Sequence, residues 1–122
     1  MILAIVGSVK LANCEKAAGV IRRYLVQHQP ELVVSGGAEG IDQLAERIAW
    51  EEFGIPTCVF VPTIKAFKGV DGYAERNLKI AQTCTHLLRL AASDSTTYGS
   101  GWTRDQAVKL KKPTKEILIQ RS

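Results

Sequence analysis

Short runs that are apolar at nearly every position alternate along this chain with longer segments whose apolar residues recur every three or four positions. The runs are ILAIV at 2–6, LVV at 32–34, CVFV at 58–61, LLRL at 87–90 and EILI at 116–119. A strand with one wet face must alternate, whereas a strand covered on both faces need not. The five runs therefore predict parallel strands enclosed between two helical layers. Between them, Ala17, Val20, Ile21, Tyr24 and Leu25 form one stripe at helical spacing, and Ile41, Leu44, Ala45, Ile48, Ala49 and Phe53 form a second. A third helix is predicted over about 72–82, with Tyr73, Ala74, Asn77, Leu78 and Ala81 on one side. A fourth is predicted to open near Thr103, where T-R-D-Q at 103–106 has the form of a capping box. Pro56 and Pro113 each stand just before a strand.

Strands and helices in alternation mean an α/β fold, and right-handed crossovers turn it into a three-layer αβα sandwich on a mostly parallel sheet of about five strands. The 122 residues show no internal repeat, linker or low-complexity tract, so a single domain over 1–122 is expected.

In such a sheet ligands bind beyond the carboxyl ends of the strands, where the strand order reverses. The strand-to-helix loops are accordingly where chemistry is expected: Gly7-Ser8-Val9-Lys10, Ser35-Gly36-Gly37-Ala38-Glu39-Gly40, the long segment after Pro62, and 93–101. They are rich in Gly, Ser and Thr, unlike the helix-to-strand loop at 27–31. Glycines between a strand and a helix let backbone N–H groups approach an anion, with the helix N-terminus adding partial positive charge. Gly36, Gly37 and Gly40 either do this or make a tight turn with close helix-to-sheet packing. The segment Tyr98-Gly99-Ser100-Gly101-Trp102-Thr103 repeats the arrangement with hydroxyl donors, and two such loops at one sheet edge suggest a nucleotide cleft. Neither is a dinucleotide fingerprint, and G-x-x-x-x-G-K-[ST] is absent, which excludes a P-loop NTPase.

Asp42 falls in the first turn of its helix, either stabilised there by the macrodipole or bonded to a ligand or the loop. Arg76 is the best candidate for a charge-assisted phosphate contact, against the alternative of a surface ion pair with Glu75 or Asp71. Its neighbour Asn77 reaches the same cleft only if the cleft lies at the helix end, because successive helical side chains diverge by about 100°. His28 and His86 have neither nucleophile nor metal partner at useful spacing. Trp50 is expected to pack, and Trp102 either stacks on a base or covers its loop.

Net charge is +4 with a pI near 9.1, and much of the excess falls at Lys109, Lys111, Lys112, Lys115 and Arg121. Without interleaved aromatics that run reads as a solvated face before it reads as a nucleic-acid surface. Cys14, Cys58 and Cys84 are odd in number and widely spaced, indicating neither a disulfide framework nor a zinc site. No signal-like or bilayer-length apolar segment is present, so a cytoplasmic, soluble protein with no membrane partner is expected. No metal or cofactor is implied.

In order along the chain, the strand ending in Gly7-Ser8, VVSGGAEGIDQLAERIA at 33–49, IPTCVFVP at 55–62, Arg76-Asn77, GSGWT at 99–103 leading to Ala107, and a last strand after KKP resemble the SLOG superfamily. That Rossmann-like group includes the YspA-type, DprA and LOG proteins, and the likeness is to the YspA-like branch. It implies a nucleotide-binding cleft built from these same elements. Gly7, Ser8, Lys10, Ser35, Gly36, Gly37, Gly40, Asp42, Arg76, Asn77, Gly99, Ser100, Gly101 and Thr103 are the expected ligand-binding residues. The chain departs from the family pattern at Val9, where an arginine is usual and Lys10 follows; near His86, where an acid is common; and at Trp102, where a small residue is usual.

The leading expectation is a module that binds a nucleotide or nucleotide-derived ligand, with Arg76 as counter-charge and Ser8 or Asn77 as donors. The alternative is a LOG-like phosphoribohydrolase that cleaves the N-glycosidic bond of a nucleoside monophosphate. That reaction needs an acid and a carboxylate. The glutamate of the LOG motif is here Gln106, beside Asp105, which leaves Glu39 as the candidate. A DprA-like contact with single-stranded DNA is a third, weaker expectation, with only Trp102 and Tyr98 to stack. Homo-oligomerisation through helices flanking the cleft is compatible with the fold.

Overall fold

The computed structural model describes residues 1–11, 14–62, 72–93 and 99–120. Five strands, β1 (Ile2–Gly7), β2 (Leu32–Ser35), β3 (Thr57–Val59), β4 (His86–Ala92) and β5 (Thr114–Ile119), form one sheet in the order β3-β2-β1-β4-β5. Every pairing is parallel. Four helices connect them: α1 (Glu15–His28), α2 (Ile41–Arg47), continued by a π-helical turn at Ile48–Glu52, α3 (Tyr73–Thr83) and α4 (Gly99–Lys109). The fold is thus the α/β three-layer sandwich that the pattern predicts, Rossmann-like in strand order, with a sheet that is wholly parallel.

The continuous apolar runs are explained by two cores. In β1, Leu3 and Ile5 join Ala17, Ile21, Leu25, Ile41, Ala45 and Ile48 under α1 and α2, while Ala4 and Val6 face the other way toward Ile80, Ala81 and Ala107 of α3 and α4. Val33 and Val34 divide in the same way, as do Leu88 and Leu87. Successive strand residues point to opposite faces, so both must be apolar where both faces are covered. Proline carbonyls extend the ladder at the strand starts: Val33 N–H donates to Pro56 O and Leu87 N–H to Pro113 O, both at 3.0 Å.

The chain runs outward from β1 through β2 to β3, then returns to β4 on the other side of β1. The order therefore reverses between β1 and β4, which is the position where this class of sheet opens a crevice. Among the described residues no helix is long and apolar enough to cross a membrane.

The fourth helix begins earlier than the sequence suggests. T-R-D-Q predicts an opening near Thr103, yet α4 starts at Gly99 and Thr103 lies inside it, 1 % exposed. Thr103 therefore stands on a buried face of a helix already under way, not at its N-cap.

Candidate functional site

The β1 end is built tightly. A Cβ on Gly7 would overlap Leu90 O and lie 2.7 Å from Ile41 Cγ1, so the close approach of β4 and α2 requires glycine there. Ser8 is 2 % exposed and ties three elements together. Its N–H donates to Leu90 O at 3.0 Å, its carbonyl accepts from Ile41 N–H at 3.4 Å, and its hydroxyl oxygen accepts from Ala92 N–H at 3.1 Å. Lys10 is exposed on a 3-10 turn, Val9–Leu11.

The three glycines after β2 answer to different demands. Gly37 and Gly40 have φ of 71° and 89°, in the region that side chains disfavour. Gly36 is required by crowding, since a Cβ there would sit 2.7 Å from Arg76 Cζ and 3.0 Å from Asp42 Oδ2. Its N–H donates to Asp42 Oδ2 at 3.0 Å, and its carbonyl accepts from Arg76 Nη1. An acid from α2 and a guanidinium from α3 thus hold one residue by its two ends. Gln43 Nε2 adds a bond to Gly37 O at 3.3 Å. Ser35, fully buried, donates its hydroxyl to Glu46 Oε1.

Asp42 is 5 % exposed. Burial pushes its carboxyl up to about 7; the Gly36 N–H, the Arg76 charge and the Ala38 N–H pull against this, and Glu46 adds to it. Of the two explanations for Asp42, the structure therefore displays the loop-fixing one: its carboxylate sits where the loop's amides converge.

Arg76 and Asn77 are the fourth and fifth residues of α3, at the end of the helix facing the sheet's loop edge. Arg76 Nε donates to Asn77 Oδ1 at 2.6 Å and Nη1 also reaches Phe60 O at 3.4 Å, so the side chain bridges the ends of β2 and β3. The Tyr73 ring lies 5.4 Å from Arg76 Cζ, in cation–π range. Glu75, offered by the sequence as an ion-pair partner, instead pairs with Lys79 at 3.9 Å. Burial lowers the Arg76 pKa, with Asp42 and Tyr73 opposing.

Across the crevice, Gly99, Ser100 and Gly101 form the first turn of α4, where N–H groups have no preceding helical carbonyl. Beneath them lies Arg89 of β4, 8 % exposed, a residue the sequence analysis passed over inside LLRL. Its Nε donates to Ser100 Oγ at 3.0 Å and its Nη1 to Glu116 Oε2 at 2.5 Å. Arg104 shares that same Glu116 oxygen and also pairs with Asp105 at 3.0 Å. Burial of Glu116 works against ionisation, yet the two arginines outweigh it and hold the carboxyl below its ordinary range. A Cβ on Gly101 would make ordinary contact with both guanidinium groups, 3.6 Å from Arg89 Nη2 and 3.7 Å from Arg104 Nη2. The signal for Arg89 was a single charge at an interior strand position, a place where burial demands a partner.

Glu39 is exposed on the turn before α2, and among the described residues the carboxyl whose charge acts on Arg76 is Asp42. The expectations placed on Tyr98, on Asp71 and on the segment 63–71 lie outside the described residues. Lys112 of the basic run closes the end of α3, donating to Gln82 O at 3.0 Å and to Cys84 O. Among the described residues no group of three or more His, Cys, Asp or Glu is placed to hold a metal ion.

No protein-family model matches the chain, and no curated protein matches its sequence.

Proposed function

We propose that this protein binds a nucleotide or nucleotide-derived ligand along the loop edge of the sheet, between the Arg76 end of α3 and the first turn of α4. One observation carries the reading: two partly or wholly buried guanidinium groups lie against the two glycine-rich segments, Arg76 on Gly36 after β2 and Arg89 of β4 on Ser100 in the first turn of α4. Both guanidinium groups are held in place by partners within the protein, and a planar guanidinium fixed beside a glycine-rich segment suits phosphate. The likeness of S-G-G-A-x-G-x-D and the later Arg76-Asn77 to the SLOG pattern points the same way.

The test is a thermal-shift screen over nucleoside mono-, di- and triphosphates, cyclic dinucleotides and ADP-ribose, since a ligand held only by the folded state raises Tm. For a hit, Arg76→Ala should weaken the phosphorylated ligand by about 10-fold or more, as expected for one charge-assisted bond, and its nucleoside far less. Equal loss for both removes Arg76 from the phosphate site.

A second reading, hydrolysis of the N-glycosidic bond of a nucleoside monophosphate, draws on a different observation. Burial raises the Asp42 carboxyl to about 7, into the range in which a general acid works. Release of free base from a monophosphate, abolished in Asp42→Asn, would establish it.

A further inference from the structure

Gly36 is held at its N–H by Asp42 Oδ2 and at its carbonyl by Arg76 Nη1, so the acid and the guanidinium are neighbours joined through one residue. Among the described residues the groups that bear on the pair are these. Facing Asp42 are Arg76 from α3, the N–H groups of Gly36 and Ala38 from the loop, and Glu46 one turn further along α2. Glu46 is itself engaged by the Ser35 hydroxyl from β2. Facing Arg76 are Asp42, the Tyr73 ring, Asn77 Oδ1 and the carbonyls of Gly36 and Phe60. Among the described residues Arg76 is thus the cation that opposes the charge of the buried Asp42.

We propose that the site takes up a proton together with its anion: when an anion engages Arg76, Asp42 accepts one proton from solvent. This rests on the anion-binding reading of the cleft and adds its regulation. An anion beside Arg76 offsets the positive charge that Asp42 depends on and contributes a negative field of its own. Both effects favour the neutral carboxyl. The neutral acid keeps an oxygen to accept the Gly36 N–H, so the loop remains closed while the charge changes. By reciprocity, protonation of Asp42 tightens anion binding to the same degree. Burial already raises the carboxyl toward the neutral range, so the exchange falls near neutral pH.

The experiment uses the whole chain with sulfate, which keeps its charge between pH 6 and 8, so any proton exchanged belongs to the protein. The Asp42 carboxyl carbon and the Arg76 guanidinium are followed by NMR across that range, with and without sulfate. The Asp42 titration midpoint should rise by about one unit with sulfate, equivalent to roughly tenfold tighter sulfate binding at the acid end than at the alkaline end. Asp42→Asn, which retains an acceptor for Gly36, should bind sulfate with an affinity that no longer varies with pH. Sulfate that leaves the Asp42 midpoint in place, or an unchanged pH dependence in Asp42→Asn, overturns the linkage even if nucleotides bind elsewhere in the crevice. A sulfate-linked midpoint shift together with a nucleotide screen lacking any hit leaves the linkage standing and refutes the nucleotide reading.

Discussion

Gly36 shows how a single residue is fixed by what surrounds it. Its backbone does not require a left-handed angle, yet any side chain would enter the space of the Arg76 guanidinium. Gly36→Ala should therefore destabilise the fold by about 1–3 kcal/mol, the range for overpacking, and urea denaturation measures it. An Ala variant as stable as the parent would show that Arg76 moves aside without loss. Asp42 carries the opposite sense to a salt-bridged carboxylate. In the unfolded chain it titrates near its ordinary value of 3.8, and in the folded chain burial raises this to about 7. Between those values the folded state binds more protons, so the contribution of Asp42 to stability falls as pH rises through that window, by roughly 1.4 kcal/mol per unit. Asp42→Asn should remove this slope from the pH dependence of the urea midpoint. A slope that persists unchanged assigns it to another group. The sequence offered only two roles for the three glycines, an anion cradle or a tight turn. Gly37 and Gly40 carry the turn in their backbone angles, while the crowding at Gly36 depends on an arginine forty residues away, which no local pattern contains.

Strands and helices were legible to different depths, for physical reasons. All five strands overlap the apolar runs, and for the central β1, β2 and β4 the reason is that a sheet covered on both faces leaves no room for polar alternation, whereas the edge strands β3 and β5 expose Val59 and Leu118 and are not enclosed as the pattern predicts. The start of α4 was not legible: Gly99-Ser100-Gly101 has poor helix propensity and T-R-D-Q imitates a cap, yet tertiary contact carries the helix four residues further back. Part of that contact is Arg89, whose Nε meets Ser100 in the first turn of α4 while its Nη1 holds Glu116 of β5. β4, α4 and β5 are thereby joined by one side chain. Arg89→Leu and Glu116→Leu should each destabilise the protein by about 1–3 kcal/mol, and the double variant should lose less than the sum, with a coupling of at least 0.5 kcal/mol. Strict additivity would mean that the pair contributes only through packing. Glu116 also supplies a pH test of the opposite sign to Asp42. Its depressed pKa gives stability that is present above the unfolded value and lost as pH falls through the folded one.

At the scale of the molecule, the two helical layers differ in what holds them. The layer of α1 and α2 rests on large aliphatic residues, among them Leu3, Ile5, Ile21, Leu25, Ile41, Ile48 and Leu90. Among the described residues the layer of α3 and α4 meets a smaller set, Ala4, Val6, Val34, Ile80, Ala81, Leu87 and Ala107, and its attachments include the polar contacts of Arg76, Arg89, Glu116 and Lys112. Burial of a Leu or Ile side chain contributes about 1.5–3 kcal/mol, against about 1 kcal/mol for a typical hydrogen bond, so the second layer should open first. Native-state hydrogen exchange should accordingly find amides of α1 and β1 exchanging only through global unfolding, and those in the first turns of α3 and α4 through smaller local openings. This asymmetry favours a binding site on the second layer, because an anion gripped by Arg76 and by the first turn of α4 would restrain the elements with most freedom to lose. A nucleotide hit from the thermal-shift screen should then slow exchange in α4 near 101–104 and in α3 near 76–80, while leaving α1 unchanged. Uniform slowing over both layers would instead mean that the ligand stabilises the fold globally, without a local site at this edge.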